Sequence, residues 1–357
     1  MPLSLQDLQS SGNLKSFDDI REMVHERHDR KFPDKIVDLN ETTITENMHI
    51  HVPGFGILEP TDWALNQIGQ SLGIKWKKWF GLYQENPVVT AKEAQEELSR
   101  RFNRIPNMGR MIRASHHETA SAKSDGVLEA FLSPTYVPID DVRIFERLAI
   151  SFGTQMDEMM VLDSPIRSIG GRWGWGWGND RTSHYTFITG EERDLGQDNE
   201  TDNHLAGFHM RNSEFGAASL TLDDFWFRII CMNGLMAMVD NERLLYRQHR
   251  NIENSDIDDL IREGFGKLKG RHERVLGALI RGKNEHIADP QFDLEEVLRR
   301  GKQSGKLIEK AQLAWEEEEE FSRFGMVQAI TRAARDITDP DHRYELELLA
   351  GRFLLVN

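Results

Sequence analysis

Arginines are concentrated in one stretch of the chain in an arrangement suited to a polyanion. Between Leu98 and His117 there are five arginines and no acidic residue, although the whole chain carries 59 acidic and 44 basic residues. Because the guanidinium group is always charged and pairs well with phosphate, this stretch predicts phosphate contact. The alternative is that these side chains pair with acids from elsewhere in the fold. The five are Arg100, Arg101, Arg104, Arg110 and Arg113.

Two further stretches interleave cations with tryptophan. In the segment IKWKKWFGLY (74–83), lysines stand between Trp76 and Trp79. In RSIGGRWGWGWGNDR (167–181), extended geometry would place three tryptophans on one face and the glycines on the other. Basic residues beside aromatic rings suit a single strand whose bases stack on the rings. The tryptophans could equally bind a sugar, contact a partner protein or lie in the core. The candidate nucleic-acid contacts are Lys75, Lys77, Lys78, Arg167, Arg172, Trp173, Trp175, Trp177 and Arg181.

An enzymatic site is the rival interpretation. Five scattered groups would be its candidates for acid–base or metal chemistry, although a helix cap explains the two adjacent aspartates more simply. The chain has no GxxxxGK[ST] phosphate loop and no paired CxxC, HExxH or GxSxG motif. A nuclease with scattered carboxylates stays open. The five groups are Asp140, Asp141, His184, His209 and Glu214.

The elements that must position these residues alternate between strands and helices in the first two thirds of the chain. Alternation or β-favouring composition predicts strands in 36–52, 127–132, 184–189 and, around a polar turn, 206–221. Helices are expected at 63–72, 90–102 and 141–152. The apolar run 225–239, after a capping-box spacing at Thr221, predicts either a buried helix over the run or a helix that stops at Asn233-Gly234. From about residue 255 the pattern is helical: 256–280 with breaks near Gly264 and Gly270, then 292–300, 304–320, 324–337 and 342–354.

These patterns predict an α+β fold: an antiparallel sheet flanked by helices, followed by a largely helical C-terminal subdomain. We expect an N-terminal helical and strand arm in 1–55, an α+β core domain in 56–245 and a charged helical subdomain in 246–357.

Composition narrows the class of protein. The formal charge of −15 argues against a generally basic nucleic-acid binder, unless the charges are segregated along the chain. The single cysteine, Cys231, lies in an apolar run and favours a reducing compartment. No apolar run reaches the ~18 residues of a membrane span, and the N-terminus lacks the order of a signal peptide. We therefore expect a cytoplasmic protein without a membrane partner.

Four blocks of the sequence carry a recognisable pattern: Trp63–Ile74, Phe131–Asp141, Gly207–Gly216 with its Asn212-Ser213-Glu214 turn, and Arg228–Leu235 with its Asn-Gly pair. Together these blocks resemble the phage/plasmid-like proteins catalogued as domain of unknown function 932. The resemblance covers roughly residues 60–300. The tryptophan-rich segment and the acidic C-terminal helices depart from the family pattern.

The resemblance implies a phage or plasmid origin but no reaction. Combined with the basic and aromatic stretches, it suggests a single-stranded nucleic-acid-binding protein, specifically a single-strand annealing recombinase. Such a protein would self-associate, hold single-stranded DNA in a basic groove and need no nucleotide cofactor. On this interpretation Arg211 and Asn212 also line the groove, unless Arg211 simply pairs with Glu214 across the turn. The alternatives are a metal-dependent nuclease and a phage protein that binds only other proteins.

Overall fold

The structure is a computed structural model of the chain. It describes residues 14–73, 86–102, 109–116, 124–153, 159–162, 182–196, 201–229, 233–237, 243–250, 254–318, 320–335 and 337–355. Within these ranges the chain forms two β-sheets and ten α-helices. The predicted α+β class, with an antiparallel sheet, flanking helices and a helical C-terminal part, is confirmed.

The larger sheet, sheet A, has seven strands in the order β1-β8-β9-β10-β11-β12, and β13 pairs with the free part of β11. All of its strand pairs are antiparallel. Its strands are β1 (Leu14–Ser16), β8 (Met160–Leu162), β9 (Ser183–Asp194), β10 (Asn203–Asn212), β11 (Leu220–Arg228), β12 (Asn233–Ala237) and β13 (Leu245–Arg247).

The smaller sheet, sheet B, has six strands in the order β2-β6-β7-β5-β4-β3. The pair β5–β7 is parallel and the other pairs are antiparallel. Its strands are β2 (Lys35–Asp38), β3 (Thr43–Ile44), β4 (Ile50–Val52), β5 (Gly56–Pro60), β6 (Gly109–Ser115) and β7 (Gly126–Leu132).

Four helices lie in the first half of the chain and six follow the sheets. They are α1 (Phe17–Asp29), α2 (Asp62–Leu72), α3 (Pro87–Phe102), α4 (Asp141–Phe152), α5 (Asn254–Gly266), α6 (Leu268–Asn284), α7 (Pro290–Arg300), α8 (Gly305–Glu318), α9 (Arg323–Arg335) and α10 (Pro340–Leu355). These bounds agree closely with the helices expected from the sequence in the C-terminal part. No helix in the described ranges is long and apolar enough to cross a membrane.

Local signals explain where several helices begin and end. Ser16 and Asp19 form a capping box at the start of α1. The Thr61 hydroxyl accepts from the Ala64 amide at the start of α2, and Gly73 ends that helix with φ of 67°. Asp140 stands at the N-cap position of α4, but its side chain makes no capping hydrogen bond. That carboxylate is used elsewhere, which makes it part of the site described below.

The prediction of a helix over Phe225–Val239 is wrong. The described part of that run belongs to β11 and β12, which pair with each other from Asp224↔Ala237 to Arg228↔Asn233. Thr221, read as a helix cap, pairs in β11 with Arg211 and Tyr246. The run is apolar because sheet A is covered on both faces, so its strands do not alternate in polarity.

The hydrophobic core shows that both faces of sheet A are packed against other elements. Leu222 packs in a cluster with residues of α1, α4 and α5, including Ile261. Phe225 and Phe227 pack in another cluster with Leu348 of α10. Trp226 contributes to a third cluster built mainly from α6 to α10. The C-terminal helices therefore share their core with sheet A.

Candidate functional site

A cleft of 720 Å³ lies between the two sheets. On the sheet B side its wall includes residues of α2, β6 and β7. On the sheet A side it includes residues of β10, β11 and β13 and the turn between β10 and β11. The two walls are joined where Tyr136 pairs with Arg250 and the Val137 amide donates to the His249 carbonyl at 3.0 Å.

The charge on the cleft wall is of one sign. Among the described residues, four arginines and no carboxylate line the cleft. This contrasts with the formal charge of −15 for the whole chain. Such local segregation of charge produces a positive potential where a ligand can enter. The arginines are Arg110, Arg211, Arg243 and Arg250.

Two of these arginines are held rigidly from behind. Arg211 Nη2 pairs with Asp341 Oδ1 at 2.5 Å, and Arg243 Nη1 pairs with Asp223 Oδ2 at 3.1 Å. Both guanidinium groups lie over the Tyr344 ring, at 5.3 Å and 5.6 Å from its centroid. Asp341 and Tyr344 come from α10, so this helix fixes the arginine geometry of the cleft.

The other two arginines have no carboxylate partner in the described part of the chain. Arg110 lies over the Phe131 ring at 5.9 Å, and its Nη1 donates to the Gly109 carbonyl at 3.1 Å. Burial lowers the pKa of Arg110 from its ordinary value. Arg250 is exposed. Because the other pair is neutralised, Arg110 and Arg250 supply the net positive charge of the wall.

An exposed aromatic ring stands beside the arginines. Tyr246 is 55% exposed, and its hydroxyl lies 3.4 Å from Ser219 Oγ and 3.3 Å from Gln248 Nε2. Those two hydrogen bonds lower the pKa of the Tyr246 phenol. A ring exposed at this level and fixed through its hydroxyl can stack against a planar ligand group.

His249 belongs to the same wall, where it is largely buried, and is neutral at physiological pH. Burial lowers its pKa to about 4, which the Val137 backbone opposes only in part. Its Nδ1 lies 2.9 Å from the Tyr136 hydroxyl, which in turn donates to the Ser213 carbonyl at 2.8 Å. Since the single phenolic proton goes to the carbonyl, His249 must donate from Nδ1. The two rings are stacked with centroids 5.1 Å apart.

A buried ionic cluster supports the cleft from below. Lys31 Nζ lies 3.1 Å from Asp140 Oδ1 and 2.5 Å from Glu214 Oε2. Arg113 Nη2 lies 2.5 Å from Asp140 Oδ1, and its Nη1 donates to the Glu214 carbonyl at 2.7 Å. The cluster comprises Arg27, Lys31, Arg113, Asp140, Asp141 and Glu214, and Asp34 pairs with it through Arg113.

The protonation of this cluster follows from its charges. Burial alone would raise the pKa of Glu214, but Lys31, Arg27 and Arg113 outweigh it and hold that pKa well below its usual range. The pKa of Asp140 is also lowered, against burial and the repulsion of Glu214, by Lys31 and Arg113. Both carboxylates are therefore ionised, and the cluster is a set of mutually compensating charges.

Hydrogen bonds within the cluster join two of the sequence blocks singled out above. The Asn212 amide donates to the Ile139 carbonyl at 2.8 Å and to Asp141 Oδ1 at 2.7 Å. Glu214 Oε1 accepts from the Asp141 amide at 2.7 Å. The block 131–141 and the turn 212–216 are thus one structural unit, which fixes the turn at the floor of the cleft.

The predicted nucleic-acid contacts separate into distinct environments. Arg110 and Arg211 both line the cleft. Arg113 and Asn212 are 3% and 0% exposed, and their polar groups are engaged inside the protein. Arg100 and Arg101 pair with Glu97 of their own helix α3. Arg211 pairs with Asp341, and Glu214 pairs with Lys31, so the alternative of an Arg211–Glu214 pair is wrong. Lys75, Lys77, Lys78, Arg104, Arg167, Arg172, Trp173, Trp175, Trp177 and Arg181 lie outside the described residues.

The candidate catalytic groups fall into two places. Asp140, Asp141 and Glu214 belong to the ionic cluster. His184 Nδ1 lies 3.1 Å from His209 Nε2, in sheet A. Within the described ranges, no three histidine, cysteine or carboxylate side chains are grouped so that they could hold a metal ion. In the cluster, the Lys31 ammonium lies where two carboxylates converge.

Sequence reasoning missed half of the arginines of the cleft. Arg243 and Arg250, together with Tyr246, belong to the segment RLLYRQHR (243–250), which has three arginines and no acid. Its density of cations was the available signal. The segment is short and follows a run of mixed polarity, so no periodic pattern drew attention to it.

The comparisons with known proteins found no match: no family model, no curated protein and no solved structure matches this chain. The resemblance to domain of unknown function 932 stays a prediction.

Proposed function

We propose that this protein binds single-stranded nucleic acid in the cleft between its two sheets. The observation that carries the proposal is the segregation of charge: four arginines and, in the described part of the wall, no carboxylate, in a chain of formal charge −15. Surface charge of that composition would not otherwise concentrate cations in one concave place. Arginine pairs bidentately with phosphate, as it does with carboxylate, and phosphate is the anion that every nucleotide of a strand supplies.

The exposed ring of Tyr246 favours a single-stranded ligand rather than a double-stranded one. Tyr246 is exposed between Arg243 and Arg250, and a base can stack on it only when it is not already stacked in a duplex. The cleft volume of 720 Å³ is within the range of sites that take small ligands, so it suits a few nucleotides rather than a double helix.

The wider role that we propose is single-strand annealing of the phage or plasmid type, on DNA, by a self-associating protein in the cytoplasm. It rests on the sequence resemblance together with the cleft. Pairing of complementary bases supplies the free energy of annealing, so the reaction would need no nucleotide cofactor. The cleft would hold phosphates while bases beyond it stay available for pairing.

The test is binding of a fluorescent single-stranded oligonucleotide across a salt series, with and without Mg²⁺. If Arg110 and Arg250, the two cleft arginines without a carboxylate partner in the described part of the chain, contact phosphates, the logarithm of affinity should fall with the logarithm of salt with a slope of about −1.4, since each contact on a single strand contributes ~0.7. Arg110→Gln and Arg250→Gln should each weaken binding and reduce the slope by about 0.7. Arg100→Gln is the matched control, because Arg100 is 62% exposed and lies outside the cleft.

Absence of binding at low salt would refute the proposal. Binding with Mg²⁺-dependent shortening of the oligonucleotide would replace annealing by nuclease activity. If Arg100→Gln weakens binding as much as the cleft variants do, the phosphates lie along α3 and the cleft is not the site.

A further inference from the structure

The loop Gly216–Ser219, which follows the turn at the floor of the cleft, is made of small residues, and the turn before it is rigidly supported. Gly216 has φ of 78°, and a Cβ there would lie 2.7 Å from Leu132 Cδ2. The Ser213 hydroxyl accepts from the amides of Phe215 and Ala217, at 3.2 Å and 2.9 Å. The Phe215 carbonyl accepts from the side chains of Trp63 and Gln67, both at 2.8 Å. The loop Gly216–Ser219, which we call the floor loop, is therefore fixed in position before any ligand arrives.

Two backbone amides of the floor loop are uncommitted. Within the described residues, the amides of Ala218 and Ser219 donate to no acceptor, whereas the Ala217 amide is bonded to Ser213 Oγ. Ala218 and Ser219 are only partly buried, and both line the cleft. Backbone amides beside cationic side chains form the concave anion sites that hold phosphate in many proteins.

The charge of the cleft indicates how much negative charge it can balance. Asp341 and Asp223 compensate Arg211 and Arg243, whereas Arg110 and Arg250 have no carboxylate partner among the described residues. The described part of the cleft wall therefore presents a net positive charge of about two, from Arg110 and Arg250. A phosphodiester carries one negative charge, whereas a phosphate monoester carries ~1.5 to 2 at neutral pH.

We propose that the cleft recognises the phosphorylated end of a strand, with the terminal phosphate on the floor loop between Arg110 and Arg250. This inference rests on the proposed function, since it specifies which part of a single strand the cleft binds. The amides of Ala218 and Ser219 donate to the phosphate oxygens, the two arginines balance its second charge, and the adjoining base stacks on Tyr246.

The experiment compares three dT oligonucleotides of equal length and label position: one with a 5′ phosphate, one with a 3′ phosphate and one with hydroxyls at both ends. One phosphorylated end should bind at least tenfold more tightly than the hydroxyl form, which corresponds to ~1.4 kcal/mol. Inorganic phosphate should compete more strongly against the phosphorylated oligonucleotide than against the hydroxyl form.

Two variants test the groups assigned to the phosphate. Ala218→Pro removes one amide without changing charge and should abolish most of the preference, while Ala218→Gly keeps the amide and should retain it. Thermal melting checks that Ala218→Pro folds. If it does not fold, Arg250→Gln gives the same test through charge, because it should reduce the preference at least threefold at constant ionic strength.

The outcomes separate the two proposals. Equal affinity for all three oligonucleotides would overturn recognition of the strand end and leave single-strand binding intact. Lack of binding to any of them would overturn both. A preference that survives both Ala218→Pro, correctly folded, and Arg250→Gln would overturn the floor loop as the phosphate site.

Discussion

Replacing Arg113 by methionine should destabilise the protein strongly, although this arginine lies in the same arginine-rich stretch of sequence as the exposed Arg100. Arg113 is 3% exposed and compensates Asp140 and Asp34, and it also donates to the Glu214 carbonyl. Removal of one partner from a buried ionic group typically costs 3–5 kcal/mol, because the remaining charges stay desolvated. Lys31 still faces Asp140 at 3.1 Å, so we expect the lower end, about 3 kcal/mol.

Arg100→Met is the matched control, with the same chemical change. Arg100 is 62% exposed, and its partner Glu97 keeps a second arginine, Arg101, at 2.8 Å. An exposed pair of this kind contributes at most about 0.5 kcal/mol. Urea unfolding followed by tryptophan fluorescence would measure both free energies of unfolding.

The double variant Arg113→Met with Asp140→Asn tests the mechanism. If the loss arises from an uncompensated carboxylate, neutralising Asp140 should recover ~1 kcal/mol or more of it. Two results would refute this reasoning: a loss for Arg113→Met as small as that for Arg100→Met, or strictly additive losses in the double variant.

Three further predictions concern other parts of the molecule. Burial raises the pKa of Asp224 to about 6, although its partner Arg271 acts to lower it, so the stability from its protonated form is present below pH ~4 and is lost as the pH rises through 6. The difference in unfolding free energy between the wild type and Asp224→Asn should therefore fall by about 3 kcal/mol between pH 3.5 and 6.5. No change in that difference would contradict the burial of this carboxyl group. Gly207→Ala should prevent stable folding, because its Cβ would lie 1.9 Å from the Phe187 carbonyl oxygen. As a control, the Cβ of Gly270→Ala in α6 would meet nothing within 4 Å, so this variant should raise the unfolding free energy by ~0.5–1 kcal/mol. Equal yields and melting temperatures for the two variants would contradict this reasoning. Tyr246→Ala should weaken oligonucleotide binding by ~1–3 kcal/mol without a change in melting temperature, and unchanged affinity would exclude stacking on this ring.

The bounds of helices α7 to α10 were predictable from the sequence to within a few residues. In α7 and α8 buried residues recur at helical spacing between exposed polar ones, whereas α9 is buried over most of its length. Local signals also mark the start of α7, where Asp289 is the N-cap and Pro290 is the first residue. The run from Phe225 was predicted wrongly because its pattern carries no such information. A strand covered on both faces is apolar at every position, and its composition alone does not distinguish it from a buried helix.

The candidate site was predictable only in part, because burial depends on contacts that are distant in sequence. Arg110 and Arg113 lie in the same strand at a spacing of three, so strand geometry sends them to opposite faces. One reaches the cleft and the other the ionic cluster. Which face is which depends on the pairing of β6 with β7 and on Asp140. Likewise, the partner of Arg211 is Asp341, 130 residues later, which local spacing does not reveal.

The support that α10 gives to Arg211 and Arg243 has a consequence for synthesis of the protein. A ribosome makes β10 and the floor loop more than a hundred residues before it makes Asp341 and Tyr344. Until α10 emerges and docks, both arginines lack the Tyr344 ring, and Arg211 also lacks its carboxylate partner Asp341. A nascent chain would therefore lack the complete arginine wall, and the proposed binding cleft would be completed only late in translation.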